Sequence, residues 1–373
     1  MNTMQTRAAS ESTLKSEERR EAAIKLEAKW TEHFDKAISN GGGLGGLSVP
    51  AREPIIGNWF KKGDLGFIYG ERGLGKTWLA MFIARKCGEG GGIVNLPEWN
   101  VHGQRRVLYV DGEMPLDGTR ERDAAMAAGG APGLFYLHHE ALFHRTGEAL
   151  NLAEPAAQAA LLKRCLRDRI EILFLDNLSC LFSGMRENDA DAWDNVLPWL
   201  LELRRNRIAV VFVAHSGRNG LMRGTSRRED AAFWIISLSE LRSAAESQQG
   251  AKFLTQFVKN RNATEVDCPP LEWGFIRRPN DGKVQVSWKK LSVPILFRQC
   301  VEEGLSSATD IAGIMAVSKA QVSRYAARAM KEGWLMKNGR GYEVRRKSEA
   351  ETNYDRVVQR AYEIERARAG KEN

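Results

Sequence analysis

No stretch of the 373 residues approaches the run of about eighteen apolar residues that a membrane helix needs, so no transmembrane segment and no membrane partner is expected. The first residues, Met1 to Arg7, hold no apolar block of the kind a secretory signal carries. Cysteine is sparse and scattered: Cys87, Cys165, Cys180, Cys268 and Cys300 show no C-x-x-C spacing. That argues against a disulfide framework and a zinc site, and for reduced thiols in a cytoplasmic protein. What is present is ordinary for a soluble globular chain, with 43% hydrophobic and 27% charged residues. The length suits two or three domains with a substantial core.

The charge is unevenly placed. The net charge is +8, and residues 283–373 hold 18 Lys/Arg against 11 Asp/Glu, so +7 of it lies in the last quarter. A basic C-terminal module suits an acidic partner, most simply nucleic acid, or else a solvated basic surface.

The chain is organised around residues 65–87. An apolar, β-prone run at 65–69 leads into Gly70 to Thr77, which fits the phosphate-binding pattern G-x-x-x-x-G-K-[ST], and an apolar helix follows. Glycines let successive backbone N–H groups turn toward a phosphate, and the new helix adds the positive end of its dipole. Lys76 can reach β- and γ-phosphates, and the Thr77 hydroxyl can join the shell of Mg²⁺. Gly70, Arg72, Gly73, Gly75, Lys76 and Thr77, with Trp78 behind them, form the candidate nucleotide-binding set, and the expected ligands are ATP and Mg²⁺.

Residues 1–40 read as a charged helix on which Leu26, Trp30, Phe34 and Ile38 recur every four residues. This narrow apolar stripe needs a cover, either the chain's own core or a neighbouring subunit. A glycine-rich linker at 41–46 favours a detachable helix. From about residue 54 strand and helix patterns alternate. Strands are predicted at 65–69, 106–110, 170–175 and 208–214, with edge or antiparallel strands at 233–238, 253–258 and 284–288. Continuous apolar runs suit strands buried on both faces, hence a mostly parallel sheet between helices.

Residues 292–346 read as three helices and a hairpin with Asn338-Gly339 at its tip, the composition of a winged helix-turn-helix. Ser318 and Gln321 form a capping-box pattern that opens the recognition helix. That helix carries Lys319, Gln321, Arg324 and Arg328, which suit base and phosphate contacts, although winged helices also bind proteins. The predicted domains are therefore 1–48 (charged helix and linker), 49–291 (ATPase core), 292–346 (winged helix) and 347–373 (charged tail).

Further polar residues stand at predicted strand ends: Asp111 and Glu113 after 106–110, Asp176 after 170–175, His215 after 208–214, and Lys259-Asn-Arg261 after 253–258. In a doubly wound sheet the carboxyl ends of parallel strands line one crevice, so all of these are expected to converge on the phosphates. The arrangement resembles the RecA-like ATPases over roughly residues 50–290. It is most similar to hexameric replicative helicases of the plasmid RepA type and, more distantly, of the DnaB type.

The resemblance implies an α/β core of the RecA-like P-loop kind. It makes Asp176 the Mg²⁺-orienting aspartate and Glu113 the general base, with Asp111 as a rival, and His215 the γ-phosphate sensor. It makes Arg218 and Arg223, in the basic loop after His215, contacts to single-stranded DNA in a ring channel, with solvated surface charge as the alternative. A weaker second channel loop is expected at 183–186. In RepA-type helicases an arginine finger precedes a tryptophan; here Phe233 precedes Trp234, so that finger is missing. The DnaB-type K-x-R pattern is met by Lys259 and Arg261, which makes Arg261 a finger acting in trans and implies a homo-hexamer. The implied activity is ATP-dependent unwinding or translocation on DNA in the replication of a plasmid, phage or mobile element. The alternative is an ATP-dependent DNA-binding regulator or loader that does not unwind.

Overall fold

The computed structural model describes residues 2–46, 51–93, 96–127, 129–184, 193–217, 226–240, 250–264, 267–315 and 317–345. The channel-loop candidates Arg218, Arg223 and Arg186 and the tail 347–373 lie outside them. The chain divides into two units, Met1–Ala51 and Arg52–Asn373. The first is a helix, Asn2–Ala37, followed by a short 3-10 turn, Gly43–Gly46. Its stripe residues Leu26, Trp30, Phe34 and Ile38 are all more than half exposed.

The second unit is built on thirteen strands among the described residues: β1 Pro54–Ile56, β2 Phe60–Lys61, β3 Leu65–Gly70, β4 Val107–Asp111, β5 Leu134–His138, β6 Ile172–Asp176, β7 Ala209–His215, β8 Trp234–Ser239, β9 Gly250–Asn260, β10 Leu271–Arg277, β11 Val284–Lys290, β12 Leu335–Asn338 and β13 Gly341–Val344. Nine form one sheet in the order β11-β10-β9-β8-β3-β7-β6-β4-β5. From β8 to β5 the neighbours run parallel; β8, β9, β10 and β11 alternate in direction.

Side-chain alternation explains why the central strands are so apolar. In β6, Ile172 and Phe174 join a core with the helix Lys76–Glu89, while Leu173 and Leu175 join a second core on the other face, with Trp193 and the helix Leu197–Arg205. β7 divides likewise, Val211 and Val213 against Val210, Phe212 and Ala214. Each such side chain contributes roughly 1.5–3 kcal/mol by leaving water, so the sheet is stabilised from both faces. Gly66 is required here, because a Cβ would lie 2.1 Å from the Trp234 indole.

Two strands of this sheet were not expected. β5 is an edge strand with mixed exposure, its Phe135 lying under the Arg106 guanidinium at 4.7 Å. β10 is interrupted by Gly274, which lets Ser287 of β11 approach.

β9 serves two clients. Ala251 and Phe253 face the phosphate loop, where a Cβ on Gly75 would lie 2.9 and 2.8 Å from them. On the opposite face Leu254 joins the core of the C-terminal helices, and Gln256 Nε2 donates to Met315 O at 2.9 Å. Those helices are Val293–Glu302, Ala308–Ile314 and Lys319–Lys331, followed by the β12–β13 hairpin. The register between β8 and β9 slips by one residue near Val258, a bulge that leaves this side chain exposed.

Candidate active site

β3 delivers the chain into the loop, and the loop turns through two glycines of positive φ, Gly73 at 81° and Gly75 at 102°. Only glycine takes such angles without strain. Lys76, nearly buried, donates from Nζ to Glu71 O at 2.6 Å, which holds the ammonium over the loop. Burial lowers its pKa, opposed by the carboxylates of Asp176 and Glu113. Arg72 is exposed on the loop. The Trp78 ring lies 6.3 Å from Phe275 and 5.1 Å from the Arg122 guanidinium.

Asp176 ends β6 beside the loop. Its Oδ2 accepts from Tyr109 Oη at 2.6 Å, while Oδ1 is buried without a hydrogen-bonding partner of good geometry. Burial raises its pKa to about 6; the Tyr109 and Thr77 hydroxyls act against that, and Asp111 and Glu113 add to it. A buried carboxylate oxygen without a donor, next to a threonine hydroxyl, fits a hard divalent cation. Among the described residues no group of three His, Cys, Asp or Glu could hold a metal, so a cation here would be shared with phosphate oxygens.

The turn after β4 separates its two acids. Asp111 is fully buried and committed: Oδ1 accepts from the backbone N–H groups of Glu113 and Met114 at 3.1 and 3.0 Å, and Oδ2 accepts from Thr119 Oγ1 at 2.6 Å. His138, at the end of β5, stands 4.0 Å from the same carboxylate, and burial lowers its pKa. Glu113 is exposed at the tip of the turn. Its Oε2 accepts from Asn177 Nδ2, and the same amide nitrogen lies 3.1 Å from His215 Nε2. Asn177 also caps the short helix Leu178–Leu181, its Oδ1 accepting from Cys180 N at 3.0 Å. Asn177, Tyr109 and Thr119 were not singled out from the sequence. Asn177 offered one signal, its position directly after Asp176 at a strand end.

Lys259 and Arg261 do not converge on this crevice within one chain. β9 runs antiparallel to β8, so its carboxyl end points to the opposite edge of the sheet. Asn260 pairs with Trp234 at the start of β8, whereas Gly70 pairs with Leu238, four residues further along. At about 3.3 Å per residue the separation is about 13 Å. There Lys259 Nζ donates to Glu229 O, and Arg261 Nη2 donates to Asp230 O at 2.7 Å. These contacts place two cations at the C-terminal end of the helix Ser226–Ala231, where its dipole favours them. Arg228 is buried, its guanidinium 5.1 Å over Trp193.

In the C-terminal helices Gln321 is already engaged. Its Oε1 accepts from Ser318 N at 2.9 Å, and its N–H donates to Ser318 Oγ at 3.2 Å, a complete capping box. Bidentate reading of adenine would use the same carbonyl, so a base contact by Gln321 would compete with the cap. Lys319 and Arg324 are exposed, and Arg328 pairs with Glu332 at 2.9 Å.

Strand order, the glycine loop closing on Lys76 and Thr77, and Asp176 two strands away form the frame of a P-loop nucleotide site on a mostly parallel α/β sheet. Residues 41–220 match a family model described as an AAA domain. No curated protein matches the chain in sequence. Among solved structures it is similar to the flagellar accessory protein FlaH from Methanocaldococcus jannaschii, with 13% identity, TM-score 0.40, and 61% of this chain and 90% of that one covered. It is also similar to a KaiC-like protein from Pyrococcus horikoshii OT3, with 14% identity, TM-score 0.43, and 63% and 100% covered.

Proposed function

We propose that the chain is an ATP-driven DNA motor of the replicative-helicase type, a homo-hexameric ring that translocates on single-stranded DNA for a plasmid, phage or mobile element. The observation that carries this reading is the position of Glu113. It stands after β4, the neighbour of the strand that Asp176 ends, with Asn177 rather than a carboxylate following that aspartate, and Asn177 links it to His215.

Each side chain then has a task. Lys76 and the loop N–H groups bind phosphate oxygens, and Thr77 and Asp176 would hold Mg²⁺. The cation, when bound, neutralises charge on the β- and γ-phosphates. Glu113 takes a proton from a water aligned against the γ-phosphate. His215 senses the γ-phosphate and passes its state to the loop bearing Arg218 and Arg223, which hold DNA by its phosphates. Arg261, with Lys259 beside it, serves the site of a neighbouring copy, a role consistent with its distance from its own loop. The C-terminal helices and hairpin act as a winged helix that binds duplex DNA through Lys319, Arg324 and Arg328.

A strand-displacement assay on a forked substrate tests the reading, with ATP hydrolysis stimulated more by single-stranded than by duplex DNA as the expected result. The second reading, a DNA-binding regulator or helicase loader, is favoured by the exposed Lys319 and Arg324 on the C-terminal helix. It predicts duplex-stimulated ATPase and no displacement.

A further inference from the structure

The turn that carries Glu113 is held from both of its neighbouring strands. On the β6 side Gly112 N donates to Asp176 O at 2.7 Å. Within the turn, Asp111 Oδ1 accepts from the N–H groups of Glu113 and Met114 at 3.1 and 3.0 Å. On the β5 side two side chains reach across. His139 Nε2 donates to Met114 O at 3.0 Å, and Glu140 Oε2 accepts from Leu116 N at 2.7 Å. Pro115 has no N–H to satisfy, so every backbone donor from residue 112 to 116 is matched.

His139 and Glu140 open the helix His139–Thr146, which follows β5, the last strand of the sheet. Their own surroundings are ordered. His138 Nδ1 accepts from Glu140 N at 3.2 Å, so its neutral ring carries the proton on Nε2, which faces Thr119 Oγ1 at 3.4 Å. The Thr119 hydroxyl donates in turn to Asp111 Oδ2 at 2.6 Å. The His138 and His139 rings stack with their centroids 4.9 Å apart. Glu140 also supplies a cap that the local sequence lacks. The helix Leu116–Met126 starts after Pro115, which has no capping side chain, and the Glu140 carboxylate covers its first N–H.

We propose that His139 and Glu140 are positioning residues for Glu113. They fix the turn 112–116 from the edge of the sheet and so aim the exposed carboxylate at the water beside the γ-phosphate. The inference rests on the reading of Glu113 as general base and adds the residues through which that base is held. Two observations carry it beyond the packing of an edge strand. The helix His139–Thr146 buries none of its residues, so its first turn serves these contacts rather than a core. Both contacts end on backbone atoms of Met114 and Leu116, beside Glu113. A carboxylate on an exposed turn keeps its aim only when the backbone beneath it is fixed.

The experiment uses the full chain and ATP. His139→Ala and Glu140→Ala each lower kcat by about tenfold to a hundredfold, while KM and ADP affinity change by less than about twofold. Glu140→Gln, which keeps a carbonyl oxygen for the Leu116 N–H, recovers most of the rate. His144→Ala, an exposed residue of the same helix, keeps the wild-type rate. The decisive measurement is a double-mutant cycle. Added to Glu113→Gln, Glu140→Ala causes no further loss, because the group it positioned is gone. Losses that multiply overturn the inference. So does a fall in ADP affinity parallel to that in kcat, which marks the contacts as structural only, and so does a Glu140→Gln no better than Glu140→Ala. If Glu140→Ala does not fold, the same cycle with His139→Ala decides. A slow Glu113→Gln beside unaffected His139→Ala and Glu140→Ala overturns the inference alone. Glu113→Gln at the wild-type rate, or a wild-type chain that hydrolyses no ATP, overturns the underlying reading as well.

Discussion

Asn177 and Glu113 are joined side chain to side chain, and the amide nitrogen that makes the bond lies 3.1 Å from His215 Nε2 as well. One small residue therefore spans the ends of β4, β6 and β7. In Asn177→Ala, kcat is expected to fall by about tenfold or more while nucleotide affinity changes little, because the base loses its orientation and the phosphate loop is untouched. The helix cap is lost too, at about 1 kcal/mol. Asn177→Asp keeps a capping oxygen but sets a second carboxylate against Glu113. Two adjacent carboxylates raise one pKa, so the acid limb of the rate profile moves to higher pH. Steady-state rates across pH, beside equilibrium nucleotide binding, check both. An Asn177→Asp profile superimposable on wild type rejects the coupling.

The two acids after β4 are expected to fail differently. Glu113→Gln leaves the fold intact and nucleotide bound while hydrolysis drops by about a hundredfold or more. Asp111→Asn removes a carboxylate that holds two backbone N–H groups and the Thr119 hydroxyl, and costs about 2–3 kcal/mol of stability. Urea unfolding and single-turnover hydrolysis of both variants separate the roles. If Asp111→Asn proves stable and inactive while Glu113→Gln still turns over, the assignments must be exchanged.

Asp64 gives stability a pH dependence. Burial raises its pKa to about 6 from an unfolded value near 3.8, with Arg52, Asn262 and the Lys61 N–H acting against the shift. Between these values the folded chain binds the extra proton, so this group's contribution is fullest below about 4 and declines as pH rises through about 6. The slope is at most roughly 1.4 kcal/mol per pH unit. Relative to Asp64→Asn, the wild-type chain should therefore lose stability from pH 4 to pH 6. Parallel thermal-unfolding curves across that range would contradict the raised pKa.

Removal of residues 1–46 tests the exposed Leu26, Trp30, Phe34 and Ile38 stripe as a strap between subunits. If the full chain assembles as proposed, the shortened chain is expected to fall to smaller species in light scattering at the same concentration. A deletion that stays hexameric ends that role.

The parallel strands were readable because burial on both faces leaves runs such as Ile172-Leu173-Phe174-Leu175 with no polar interruption. β5 escaped because an edge strand keeps half-exposed residues, and β10 because Gly274 and the charges at Glu272 and Arg277 blur its pattern. The loop was legible through its spacing, and the places of Asp176 and Glu113 just after strands through the apolar runs that precede them. The placement of Lys259 and Arg261 was not, because it depends on the direction of β9. A run of apolar residues reads the same in either direction. Asn177 is harder still, since its role exists only when three strand ends meet.

β9 sets the phosphate loop and the C-terminal helices on opposite sides of one strand, odd-numbered residues serving Gly75 and even-numbered ones Met315. Parity is then the whole address system. One residue inserted between 250 and 253 would send Phe253, Leu254 and Gln256 each to the wrong neighbour, and loop and helices would be unseated together. Deleting Val258 at the bulge leaves that parity intact and instead turns Lys259 and Arg261. Length changes in this strand therefore separate into those that disable everything and those that re-aim only two cations.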